Sequence, residues 1–131
     1  MPSIFSRIIQ GEIPCYKVAE DEFHIAFLDL QPVASGHVLV VPKEEVDYLF
    51  DLDENAYSRL WLFARKVASG LEKAIPCRRI GISVIGLEVP HTHIHLVPLQ
   101  TMQDINFSKT KMSPSSGELE EIRQKIASQL I

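Results

Sequence analysis

A chain of 131 residues, 46% apolar and 23% charged, has enough material for one domain with a sizeable core and too little for two. Its formal charge of −4, with acidic and basic residues interleaved, excludes the concentrated basic stripe by which a protein holds long nucleic acid. The chain shows no run of membrane-spanning length, no basic-then-apolar leader and two solitary cysteines, Cys15 and Cys77, so a cytoplasmic protein with reduced thiols and no membrane partner is expected.

In chain order, Ser3 is placed to cap a short helix with Ile4, Phe5, Ile8 and Ile9 on one side, and Gly11 to end it. Residues 15–19 and 24–30 read as strands of a hairpin around the acidic turn 20–22, and Pro32 breaks the second. Ser35 and Gly36 turn the chain into residues 37–42, an apolar, β-branched run that predicts a buried strand. A short helix is expected within 43–51, with Val46, Leu49 and Phe50 inward. Asp53 is a plausible N-cap for one long helix over about 54–74, where Leu60, Phe63, Ala64, Val67, Ala68 and Leu71 recur at helical spacing and Pro76 forms the stop. Residues 79–85 predict another strand, broken at Gly86. Residues 91–99 predict a further strand, 101–116 a polar loop, and about 118–130 a final helix with Leu119, Ile122, Ile126 and Leu130 inward. The expected fold is α+β: a mostly antiparallel sheet of about five strands with a short N-terminal helix, one long helix and a C-terminal helix.

The strand over 91–99 carries the chemistry. His91, His93 and His95, three of five histidines, alternate with Thr92, Ile94 and Leu96, and period-two alternation puts the imidazoles on one face and the apolar set on the other. Neighbouring histidines would stand roughly 6.6 Å apart. Three uses are open. Metal binding by all three is disfavoured, because the outer two lie about 13 Å apart on a straight strand; two of them with a distant ligand could still bind an ion. A structural role would satisfy each ring through its neighbours. A row of imidazoles also suits attack on a phosphate ester, since like-charge repulsion keeps one ring neutral and nucleophilic while its neighbours donate to phosphate oxygens.

The stretch from Val89 to Pro98, with its H-φ-H-φ-H-φ-φ pattern, resembles the signature of the histidine triad (HIT) superfamily, Thr92 standing where the family is usually apolar. Residues 4–14, 26–32 and 36–43 also resemble family segments in the same order, so the likeness covers about 3–99 of a single domain over 1–131. The resemblance implies an HIT-like fold and a hydrolase that takes a purine nucleotide, needs no metal or cofactor, and forms a homodimer through the long helix and the strand after it. It implies His93 as nucleophile on the α-phosphorus, giving a nucleotidyl-histidine that water hydrolyses. His95 would bind phosphoryl oxygens, His91 orient His93 or assist proton transfer, and His37 stand near the phosphate. His24 matches no functional position.

By the same resemblance Ile4, Phe5, Ile8, Phe27 and Leu30 surround the base and Asp29 meets the ribose hydroxyls, whereas the residues alone read Ile4, Phe5, Ile8 and Phe27 as core packing. Gly86 and Glu88 align with phosphate-side positions, but the loop at 85–90 is shorter than in many relatives, and Leu87 replaces a glutamine. Histidine rather than glutamine at the third triad position favours hydrolysis over nucleotidyl transfer. The reaction expected is cleavage of a purine nucleoside monophosphate ester or phosphoramidate; the alternatives are hydrolysis of dinucleoside polyphosphates and a nucleotide-binding adaptor with vestigial activity.

Overall fold

The computed structural model describes residues 2–130. Helix α1 (Ile4–Ile9) starts at Ser3, whose side chain accepts the Ser6 N–H. A five-stranded antiparallel sheet follows, β1 (Lys17–Glu20), β2 (His24–Leu28), β3 (Val38–Pro42), β4 (Arg79–Ser83) and β5 (Ile94–Leu99), in the order β1-β2-β3-β5-β4. Helix α2 (Glu54–Ala74) begins at Asp53, which accepts the Ala56 N–H at 2.8 Å. Helix α3 (Ser116–Ser128) starts two residues before the expected position, because Ser115 and Glu118 form a reciprocal capping box. No described helix is long and apolar enough to cross a membrane.

Strand alternation divides the core. Val38, Val40, Ile94 and Leu96 pack with Leu60, Phe63, Val67 and Leu71 of α2. The intervening residues of the other face, Leu39 and Val41 with Ile25 and Phe27, pack against Phe5 of α1. The second face is only partly covered, and the functional groups gather there. Gly36 makes the turn into β3 at φ +88°, a left-handed conformation that glycine adopts without strain. His24 lies outside this region: it stacks on Phe63 at 4.8 Å and closes the β1–β2 turn on Asp21 at 2.9 Å, a structural use.

Two expectations are corrected by one interaction. No helix forms over 43–51 beyond a single 3₁₀ turn, Leu49–Asp51, and Phe50 is 65% exposed. The carbonyl of Val46 accepts from both the amide and the hydroxyl of Thr92, each at 2.7 Å, and the Asp47 carbonyl accepts from the same hydroxyl at 3.2 Å. These carbonyls are therefore unavailable to a helical ladder. The same bonds draw 91–92 off the sheet, so β5 begins at Ile94 rather than at His91.

Candidate active site

The open face of the sheet carries a cavity of about 620 Å³. Ile4, Phe5 and Ile8 form one wall, Phe27, Asp29 and Leu30 another, and Gly86 and Glu88 sit on the rim loop. His93 and His95 enter from the start of β5. The residues expected around the base, ribose and phosphate-side loop thus border one cavity, whereas His37 does not line it and meets it only through its bond to His95. The two readings of the apolar set are reconciled: Phe5 and Phe27 are 6% and 4% exposed and belong to the core while presenting an edge to the cavity. Ile4 and Leu30 are 49% and 57% exposed and serve the cavity rather than the core.

The three histidines lie on the α1 side, where Phe5 packs edge-on against both His91 and His93, but they do not line the cavity alike. His93 and His95 are adjacent, with ring centroids 4.9 Å apart, whereas His91 is fully buried behind them and does not reach the cavity. Its Nε2 donates to the Pro42 carbonyl at 2.8 Å, and its Nδ1 meets the Ser3 hydroxyl at 2.7 Å. His93 Nδ1–H donates to the carbonyl of His91 at 2.7 Å. A carbonyl only accepts, so the proton of neutral His93 is on Nδ1 and Nε2 keeps its lone pair. Phe5 packs edge-on against the His93 ring at 4.9 Å and limits its rotation.

A second chain of hydrogen bonds orders His37 and His95. The Val33 N–H donates to His37 Nδ1 at 3.2 Å, which leaves the proton of neutral His37 on Nε2. That nitrogen lies 2.9 Å from His95 Nδ1 and donates to it. His95 accordingly carries its proton on Nε2, the nitrogen not engaged by His37. Both rings stay neutral: burial pushes His37 down to about 4, helped by the charge of Lys111, and pushes His95 down to about 3, helped by His37, His93 and Lys111. Burial also holds His91 below the usual imidazole range, against the opposing pull of the Pro42 carbonyl and Glu45.

Asp29 accepts the Gln31 N–H at 2.9 Å through Oδ1, and its other oxygen is 3.7 Å from His37 Nε2, too far for a hydrogen bond. Burial raises its pKa, as expected of a carboxylate that borders a cavity with one oxygen free. Asp29, His37 and His95 bring ligand atoms within 4.8 Å of one another, but the facing nitrogens of His37 and His95 are joined by their own hydrogen bond, which an ion would have to break.

Two cavity residues escaped the sequence. Phe107 packs edge-on against His95 at 4.8 Å and His37 at 5.8 Å, and Lys111 is the one lysine or arginine lining the cavity among the described residues. Both lie in the polar segment 101–116, which folds back because the Met112 N–H donates to the Pro32 carbonyl at 2.9 Å. No periodicity in that segment signals the contact.

A family model described as HIT domain matches residues 10–102. An HIT-like protein of Borreliella burgdorferi is 32% identical over 132 residues, 95% of each chain. The adenosine 5'-monophosphoramidase of Schizosaccharomyces pombe is 35% identical over 100 residues, covering 75% of this chain and 74% of that protein. The crystal structure of a HIT-like protein from Bartonella henselae, described as involved in cell-cycle regulation, superposes with a TM-score of 0.85 at 30% identity, over 98% of this chain and 96% of that one.

Proposed function

The chain belongs to the HIT domain family, and from that premise we propose that it hydrolyses purine nucleoside monophosphate esters or phosphoramidates at the α-phosphorus. The observation that carries the reading is the bond from His93 Nδ1–H to the His91 carbonyl, which leaves a basic Nε2 in a nucleotide-sized cavity. His93 Nε2 attacks phosphorus; an N–P bond forms, the bond to the leaving group breaks, and the departing amine or alcohol takes up a proton from solvent. Water then attacks the nucleotidyl-histidine, the N–P bond breaks with its electron pair returning to His93 Nε2, one proton of the water stays on the new phosphate oxygen and the other passes to solvent. His95 Nε2–H donates to a phosphoryl oxygen in both steps, and His37 holds His95 in the donating tautomer. The base lies against Ile4, Phe5, Ile8, Phe27 and Leu30, Asp29 takes the ribose hydroxyls, and Gly86 and Glu88 stand beside the phosphate.

The likeness to the adenosine 5'-monophosphoramidase of Schizosaccharomyces pombe directs the choice of substrate to an adenosine phosphoramidate. A single lining cation, Lys111, suits one phosphate group better than a polyphosphate bridge. The expected outcome is faster turnover of adenosine 5'-phosphoramidate than of a diadenosine polyphosphate. His93→Ala should lose about 10³-fold or more in kcat with nucleotide binding and melting temperature retained. Most of the activity surviving in that variant would refute the mechanism, and binding without repeated turnover in the native chain would mark an adaptor instead.

The proposal includes a homodimer through α2 and β4. In support, β4 is an edge of the sheet, with Ile82 50% exposed, and Leu62 of α2 is 64% exposed. Sedimentation should give twice the chain mass at micromolar concentration, and a stable monomer would remove this part.

A further inference from the structure

Beside the cavity, under the first turn of α1, four polar side chains from three separated segments meet in a way the reaction described above does not use. The Glu45 carboxylate accepts the Ser3 backbone N–H and the Ser6 hydroxyl through one oxygen, each at 2.6 Å. The Ser3 hydroxyl oxygen accepts the Ser6 N–H at 3.0 Å and lies 2.7 Å from His91 Nδ1. Ser3 and His91 are 6% and 0% exposed, so water is not a ready substitute for either partner.

Donor and acceptor accounting leaves one arrangement for a neutral His91. Its Nε2 proton is engaged by the Pro42 carbonyl, so Nδ1 must accept, and the Ser3 hydroxyl is the group that donates to it. The Ser6 hydroxyl proton is taken by Glu45, and the 3.4 Å separation from Ser3 Oγ to Ser6 Oγ is longer than the contact to His91. The Ser3 proton therefore points at the imidazole. The His91 ring is clamped from both nitrogens, which fixes the peptide whose carbonyl holds His93 Nδ1–H at 2.7 Å.

We propose that Ser3 is a positioning residue for the nucleophile: its hydroxyl, oriented by Ser6 and Glu45, locks His91, and the His91 carbonyl in turn aims His93 Nε2 at the phosphorus. The first turn of α1 is thereby part of the machinery for chemistry as well as a wall of the cavity. This rests on the proposed hydrolysis through His93. Its geometry stands apart from that reading, because the Ser3–His91 contact exists without substrate.

The role separates from simple helix capping by choice of substitution. Ser3→Thr keeps both the cap and the donor. Ser3→Asp keeps a good N-cap acceptor and removes the donor, because a carboxylate offers His91 Nδ1 no proton. Ser3→Ala removes both. Steady-state hydrolysis of adenosine 5'-phosphoramidate should show kcat lowered about tenfold or more in Ser3→Ala and Ser3→Asp, with KM within about twofold of the native value, and near-native kcat in Ser3→Thr. The ¹⁵N resonance of His91 Nδ1 should move in Ser3→Ala and Ser3→Asp and hold in Ser3→Thr. Native kcat in Ser3→Asp would reduce Ser3 to a cap and overturn the proposal; so would an unmoved His91 resonance in Ser3→Ala. If the native chain itself fails to turn over the phosphoramidate, the functional reading falls, and the His91 resonance still decides whether Ser3 holds that ring.

Discussion

Lowering the pH should unfold this protein through His37 and His95 before its carboxylates matter. Both rings are buried, at 1% and 8% exposure, and are held neutral, with values of about 4 and about 3. In the unfolded chain each reverts to the ordinary imidazole value of about 6.5, so between that value and about 4 the unfolded state binds about two more protons than the folded state. Stability is then complete above about pH 7 and falls as pH drops. Each proton contributes about 1.4 kcal/mol per pH unit once its group is fully charged in the unfolded chain, and integrating from pH 7 to 5 gives a loss of about 4 kcal/mol for the pair. His91, also lowered, adds to the loss. Glu45 and Glu120, drawn down to about 2 by their hydrogen bonds, keep their contribution until below about pH 4.5, while Asp29, raised by burial, takes up its proton in the fold first and partly offsets the loss. Chemical denaturation at half-unit steps from pH 7.5 to 5 would measure the slope, which should approach two protons near pH 5.5. A slope below about half a proton would mean that the two rings already carry charge in the fold, and would refute the tautomer chain running from Val33 to His95.

Lys111→Ala should raise KM for the phosphoramidate about threefold to tenfold at low ionic strength, with the difference shrinking at high salt, because an exposed charge is screened; a KM unchanged at low salt would show that Lys111 does not meet the phosphate. Thr92→Val keeps the volume and removes the hydroxyl that donates to Val46 and Asp47 from a residue 1% exposed, and should cost about 1 kcal/mol of stability in denaturant titration. A cost below about 0.3 kcal/mol would mean that the Thr92 amide alone pins the segment.

What was legible in the chain follows period and composition. The alternation of Ile94 and Leu96 with His95 puts that imidazole on the open face because the backbone from Ile94 is strand, and His93, one residue before β5, joins it at the cavity. His91, three residues before β5, does not reach the cavity, because long-range bonds from Thr92 to Val46 override local periodicity there. Those bonds also undid the expected helix at 43–51. Ser3 was legible as a cap, which its own segment decides, but not as a partner of His91, 88 residues away. Phe107 and Lys111 gave no local signal, since they are placed by long-range contacts, among them the Met112 to Pro32 bond and the packing of Phe107 on His37 and His95.

The anchoring of residues 91 and 92 to Pro42, Val46 and Asp47 has a consequence for the short stretch before them. Because His91 and Thr92 take their footing from Pro42, Val46 and Asp47, the exposed tip of the loop before them can change without disturbing the His93 nitrogen. Leu87, 89% exposed, occupies a place where selection can try new side chains at little structural risk. Under the proposed hydrolysis, such an arrangement would let descendants of one scaffold swap the portion of substrate they release while inheriting the same reactive centre intact.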